Sequence, residues 1–126
     1  MLVLDSGGVS RLARRSQDGA ATITVLRREG LWPPAVPSMV LVESLTGRQG
    51  TDAALNRFLK TCDLQEAVPE RLARRSAALR ARAGRGSAVD AVVVATAEPG
   101  GTVLSGDISD LRALAAYADD VVIRRV

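Results

Sequence analysis

Between Ser87 and Asp107 the chain reads SAVDAVVVATAEPGGTVLSGD, and no other stretch limits its possible folds as tightly. A single carboxylate, Asp90, stands in an almost wholly apolar run from Ala88 to Ala97. Pro99-Gly100-Gly101 stops that run. A short strand, Thr102 to Leu104, follows and ends on Ser105-Gly106-Asp107. Periodicity alone leaves Ala91 to Ala95 open between strand and buried helix. Ser87 as a cap and the length to Glu98 favour a helix. An ionised carboxylate in an apolar setting needs a partner, a metal or a shifted pKa. Asp90 and the strand-end Asp107 are therefore the first candidates for function.

The rest of the chain alternates short apolar runs with helical patterns. Met1 to Leu4 reads as a buried strand ending on Asp5. Ser6 or Ser10 is expected to cap a helix whose last part is Arg11 to Arg15; Gly7-Gly8 opens a helix poorly and lets backbone come close to something. A second helix is expected over Gln17 to Glu29, then a brief strand at Ala35 to Pro37. Ser38 is expected to cap a helix through Leu45 that carries Glu43 in its second turn. Thr51 caps the next, with Ala54, Leu55, Phe58, Leu59 and Cys62 at helical spacing. A weak strand at Leu64 to Ala67 precedes a helix from Pro69 to about Ala83. The last elements are a helix over Asp107 to Ala118 and a strand at Val121 to Ile123. This alternation implies an α/β fold with a mainly parallel sheet covered on both faces. In such sheets ligands sit beyond the carboxyl ends of the strands, where Asp5 and Asp107 both fall. At 126 residues, one domain over 1–126 is expected.

The chemistry is limited by what is missing. There is no histidine, which removes Ser-His-Asp and Cys-His nucleophiles and the usual zinc sites. Lys60 is the one lysine and no GxxxxGK[ST] occurs, so a phosphate-binding P-loop is excluded. Carboxylates with Mg²⁺ or Mn²⁺ are the commonest chemistry left to this alphabet. The formal charge is +3. Setting four of the 14 acids aside in one pocket leaves ten against 17 bases on the remaining surface. A basic shell around an acidic cleft suits a polyanion. Trp32, Phe58 and Tyr117 are the only aromatics, so contact would run mainly from arginine to phosphate rather than through base stacking. No apolar run reaches the ~18 residues of a membrane helix. The acid at position 5 argues against a signal peptide, and the lone Cys62 fits a reducing cytoplasm.

Each acid also has a plain structural role open to it. Asp5 suits a helix N-cap, Glu43 a solvated helix face, and Ser87-x-x-Asp90 and Asp107-x-x-Asp110 both resemble capping boxes. Asp90 is the hardest to explain away, because its helix is apolar nearly all round. Together the acids make a different case. Two carboxylates ~5 Å apart repel by roughly 3 kcal/mol at an effective dielectric of about 20. Four in one pocket call for a cation among them.

Four segments in order carry a resemblance to a known family. They are Leu4-Asp5-Ser6, Pro37 to Glu43, Ala88 to Ala97 around Asp90, and Val103 to Asp107 with Asp110. Over essentially its whole length the chain resembles PIN-domain ribonucleases of the VapC toxin type. The resemblance implies a three-layer α/β/α sandwich, Mg²⁺- or Mn²⁺-dependent cleavage of RNA (transfer or ribosomal), a homodimer, and a cognate VapB-type antitoxin in the cytoplasm. It implies Asp5, Glu43, Asp90 and Asp107 as metal-binding catalytic acids and Asp110 as an auxiliary one. Ser105 would orient the site by hydrogen bonding, with Ser6 beside it. Arg80, Arg82 and Arg85, in the basic run from Arg71, are candidates for phosphate contacts. The chain departs from the family pattern at Gly7, where Ser or Asn is frequent, and at Gly106, where a base is frequent. These departures point to an alternative reading, a PIN-like protein that binds RNA or antitoxin with little or no catalysis. A phosphatase or receiver using Asp5 as nucleophile fits less well, because the residue two positions on is Gly7 and Lys60 is the only lysine.

Overall fold

The computed structural model describes residues 1–126. The strands are β1 (Leu2–Leu4), β2 (Ala35–Pro37), β3 (Asp63–Gln65), β4 (Thr102–Ser105) and β5 (Val122–Arg125). The helices are α1 (Ser6–Ala13), α2 (Gln17–Arg28), α3 (Ser38–Ser44), α4 (Gln49–Leu59), α5 (Glu70–Ala83), α6 (Ala88–Ala97) and α7 (Ser109–Ala115). All five strands are parallel, in the order β3-β2-β1-β4-β5. Helix α1 packs on α2, α3 and α4, while α5, α6 and α7 pack on one another. This is the three-layer α/β/α arrangement expected from the alternation of elements. Strand β1 is covered on both sides, so Leu2, Val3 and Leu4 are all buried rather than alternating.

Helix α6 settles the ambiguity of the valine-rich run. Ala91, Val92, Val93, Val94, Ala95 and Ala97 are all buried, between the sheet and the helices α5 and α7. A helix apolar all round is a helix enclosed on every side. A capping box starts it. The Asp90 N–H donates to Ser87 Oγ, and the Ser87 N–H donates to Asp90 Oδ2, both at 3.0 Å.

Several expected boundaries and caps differ from the observed ones. Helix α1 begins at once after β1, and its cap is Asp5 rather than Ser6 or Ser10. Ser38 does not cap α3; its hydroxyl donates to Glu66 O across to the segment after β3. Thr51 lies inside α4, which starts at Gln49. Asp52 is buried there and gathers the preceding turn, accepting from the Thr46 and Gly47 N–H groups at 2.9 Å. Strand β3 falls one residue earlier than expected and ends at Gln65. Helix α7 starts at Ser109, so the Asp107-x-x-Asp110 capping box does not form. Strand β5 begins one residue later than expected and continues to Arg125.

The Gly7-Gly8 pair explains how α1 can start so abruptly. A methyl group on Gly8 would run into the Leu104 carbonyl oxygen of β4, and one on Gly7 would come within 2.9 Å of the Gly106 nitrogen. The two glycines let the first turn of α1 rest on the carboxyl end of β4. Gly8→Ala should therefore destabilise the protein by about 1–3 kcal/mol through overpacking. Helix propensity alone gives the opposite sign, a gain of about 1 kcal/mol. Urea denaturation distinguishes them; a variant as stable as the parent would contradict the contact.

Candidate active site

The strand order reverses at β1, with β2 and β3 on one side and β4 and β5 on the other. The crevice of a doubly wound sheet opens at such a reversal, beyond the carboxyl ends of the strands. Asp5 follows β1 directly, and Ser105 is the last residue of β4. A cavity of about 290 Å³ lies there, lined by Asp5, Ser6, Gly7, Glu43, Ser87, Asp90, Ser105, Asp107, Asp110 and Leu111. The five acids singled out in the sequence, from four separate segments, thus share one cavity with Ser6 and Ser105.

Asp5 is the deepest of them, 7% exposed. Its Oδ1 accepts from the Gly8 N–H at 2.8 Å, so it is a helix cap as well as a cavity residue. Its Oδ2 accepts from the Ser105 hydroxyl at 2.5 Å. The same hydroxyl accepts from the Asp107 N–H at 3.0 Å and stands 2.8 Å from the Asp107 carbonyl oxygen. A hydroxyl has one proton, and the charged carboxylate is the stronger acceptor. Ser105 therefore ties Asp5 to the backbone that carries Asp107. Burial pushes the Asp5 carboxyl above its ordinary range, against the lowering effect of the Ser105 and Gly8 hydrogen bonds; the charge of Asp90 adds to the rise.

Glu43 reaches the cavity from α3 and is exposed at its rim. Partial burial pushes its carboxyl up, the charges of Asp90 and Asp5 push it further, and the Ser6 hydroxyl opposes them. Asp90 is half-buried, and its Oδ2 is held in the capping box of α6. The apolar run that made this residue conspicuous thus supplies it with a protein partner at one oxygen. Asp107 is exposed at the rim. Asp110 lies in the cavity wall but is ion-paired: Arg85 Nε donates to its Oδ1 at 2.7 Å and Arg85 Nη2 to Ser109 Oγ at 3.0 Å.

The donor set is all oxygen and acidic, which suits Mg²⁺ or Mn²⁺. No three of the acidic side chains are grouped closely enough to hold a metal ion as they stand. Mg²⁺ nonetheless keeps several waters and is usually held by only one or two carboxylates. Burial raises both Asp5 and Glu43, and the neighbouring carboxylate charges add to the rise; a cation in the cavity would relieve that second contribution. The residues fit such an ion in charge and chemistry.

The arginines expected to meet phosphate are partly engaged within the protein. Arg80 Nε donates to Gly86 O, and the Arg82 guanidinium lies 5.3 Å over the Tyr117 ring. Two bases not singled out in the sequence, Arg11 and Arg125, stand instead at Gly106. The only signal for them was the closing strand, whose register sets Arg125 beside Ser105. Trp32 packs edge-on against Phe58, with ring centroids 6.2 Å apart, a core role rather than a stacking platform. A larger groove of about 540 Å³ runs between α1, α2 and α4, with an apolar floor that includes Leu12, Ile23 and Phe58 and with Arg14, Arg15 and Arg57 along it.

No family model matches the chain, and no curated protein matches it. Among solved structures it is similar to a chain in the crystal structure of VapBC2 from Rickettsia felis bound to a DNA fragment from their promoter. The TM-score is 0.70 at 11% identity, covering 100% of this chain and 99% of that one. The chain thus has the PIN-like α/β/α fold of that structure, with its carboxylates gathered where β1 and β4 end.

Proposed function

We propose that this protein is a metal-dependent endoribonuclease of the VapC toxin type, held inactive by a VapB-type antitoxin. The observation that carries the reading is the single cavity at the sheet reversal lined by Asp5, Glu43, Asp90 and Asp107. When bound, Mg²⁺ or Mn²⁺ supplies charge stabilisation and an acidified water for attack on phosphorus. Asp5 and Asp90 would hold the ion, with Glu43 and Asp107 as further ligands, directly or through water. Ser105 keeps Asp5 in place through its hydroxyl, and Ser6 steadies Glu43. Asp110 acts at the edge through its pair with Arg85. The basic surface holds the flanking RNA, with Arg80, Arg82 and Arg85 as contributors.

Two surfaces suit the partners. The groove between α1, α2 and α4, apolar below and lined by three arginines, suits an acidic amphipathic helix of an antitoxin. Val42 is 83% exposed on α3, three residues on from Met39, which lines an apolar depression with Val68, Ala77 and Val92; this face suits a second copy of the chain.

The test is RNA cleavage by the antitoxin-free protein. Cutting is expected with Mg²⁺ or Mn²⁺ and should stop in chelator; cutting that persists in chelator would contradict the metal. A second reading, a PIN-like protein that binds without cutting, draws on the carboxylates standing apart from one another. It predicts that Mn²⁺ leaves the melting temperature unchanged.

A further inference from the structure

Arg11 of α1 and Arg125 of β5 both approach Gly106, the residue between the cavity-lining Ser105 and Asp107. A methyl group on Gly106 would lie 3.8 Å from Arg11 Nε. Arg125 Nη1 donates to Gly106 O at 3.4 Å, a long contact that leaves most of its donors free. Both arginines are exposed, and neither belongs to any of the four ion pairs of the protein. Arg85, by contrast, is ion-paired with Asp110. Strand register fixes Arg125 directly beside Ser105, and the Val126 N–H donates to Ser105 O at 2.9 Å, so the end of β5 is anchored there. Arg11 is anchored by α1, whose first turn rests on β4 through Gly7 and Gly8.

Two guanidinium groups outside any ion pair and next to the same glycine make a positive patch that suits an anion. The absence of a side chain at Gly106 leaves room for that anion. We infer that Arg11 and Arg125 form a phosphate clamp at Gly106, which grips a backbone phosphate of single-stranded RNA next to the one presented to the carboxylates. Their planar forks suit two phosphate oxygens each. The clamp rests on the nuclease reading for its role, but its binding is measured separately.

The probe is a short single-stranded oligoribonucleotide, bound in chelator by the Asp5→Asn variant so that no cleavage occurs. Affinity is followed by fluorescence anisotropy over a range of KCl concentrations. In that background Arg11→Gln and Arg125→Gln should each flatten the slope of log affinity against log salt by about 0.7, the value for one phosphate contact on a single strand. Lys60→Gln removes the same charge at the opposite edge of the sheet, where α4 ends and β3 begins, and should leave the slope unchanged. Slopes unchanged in both arginine variants would overturn the clamp, as would an equal loss in Lys60→Gln, which would mark a general charge effect. Melting curves confirm that each variant is folded. Because cleavage is not the readout, an inert wild type would defeat the nuclease reading and leave this result standing.

Discussion

Asp5→Asn should abolish metal-dependent RNA cleavage, by at least about 100-fold, while leaving the fold intact. Asn is as good a helix cap as Asp, so its side-chain oxygen can still accept from the Gly8 N–H and α1 keeps its start. The Ser105 hydroxyl can turn to the Asp107 carbonyl, 2.8 Å away. What is lost is the charge. Mn²⁺ should therefore raise the melting temperature of the wild type and have little effect on the variant. An Asp5→Asn protein that cuts RNA at the parental rate would remove Asp5 from the chemistry and leave it as a cap alone.

The second large effect is a pH dependence that Asp5 imposes on the metal-free protein. Its folded pKa lies above the unfolded value of ~4, so between the two the folded state holds more protons than the unfolded one. Stability from this group is full below the unfolded value and is lost as pH rises through the folded one. Each unit of that rise is worth about 1.4 kcal/mol. Glu43 acts in the same sense but is exposed, so solvent screens its share. Asp52 and Glu98 act in the opposite sense. The first is held low by the Thr46 and Gly47 N–H groups and its side chain by Thr46 Oγ1, the second by Arg75. Their contributions are lost as pH falls. The difference between wild type and Asp5→Asn isolates Asp5: without metal, the wild type should lose stability relative to the variant as pH is raised from about 4 to 7. Mn²⁺ should reverse the trend, and its affinity should weaken as pH falls through the raised pKa. A difference that does not change with pH would show that Asp5 ionises without cost.

Most of the fold was legible because the strands are short, apolar and separated by clear helical patterns. The organising helix α6 could be placed from Ser87, Asp90 and Pro99. Asp5, Asp90 and Asp107 stood out because they sit at strand ends or in an apolar helix; the resemblance gave Glu43 and Asp110 their place beside them. Side-chain interactions between distant segments were not legible. Nothing local in Asp110 announces Arg85, 25 residues away, and nothing in Gly106 announces Arg11. Helix starts failed for a related reason. Ser38 and Thr51 are good caps by type, but Ser38 is used by Glu66 O and the turn before α4 is gathered by Asp52 instead. The Gly7-Gly8 pair, poor in helix propensity, is tolerated at the start of α1 because a side chain at Gly8 would meet Leu104 and one at Gly7 would meet Gly106. There close packing outweighed propensity.

Carboxylates at the ends of β1 and β4 that cut RNA with a metal ion would leave a metal-dependent pattern of RNA fragments. The most direct measurement is digestion of total cellular RNA by the antitoxin-free protein and its Asp90→Asn variant, with Mg²⁺ or Mn²⁺ and with chelator. An Asn at position 90 can still accept from the Ser87 N–H, so the cap of α6 survives the change. Discrete fragments are expected from the wild type with metal, none in chelator, and none from the folded variant. Fragments from Asp90→Asn equal to those of the wild type, or no metal-dependent fragments from either protein, would contradict it.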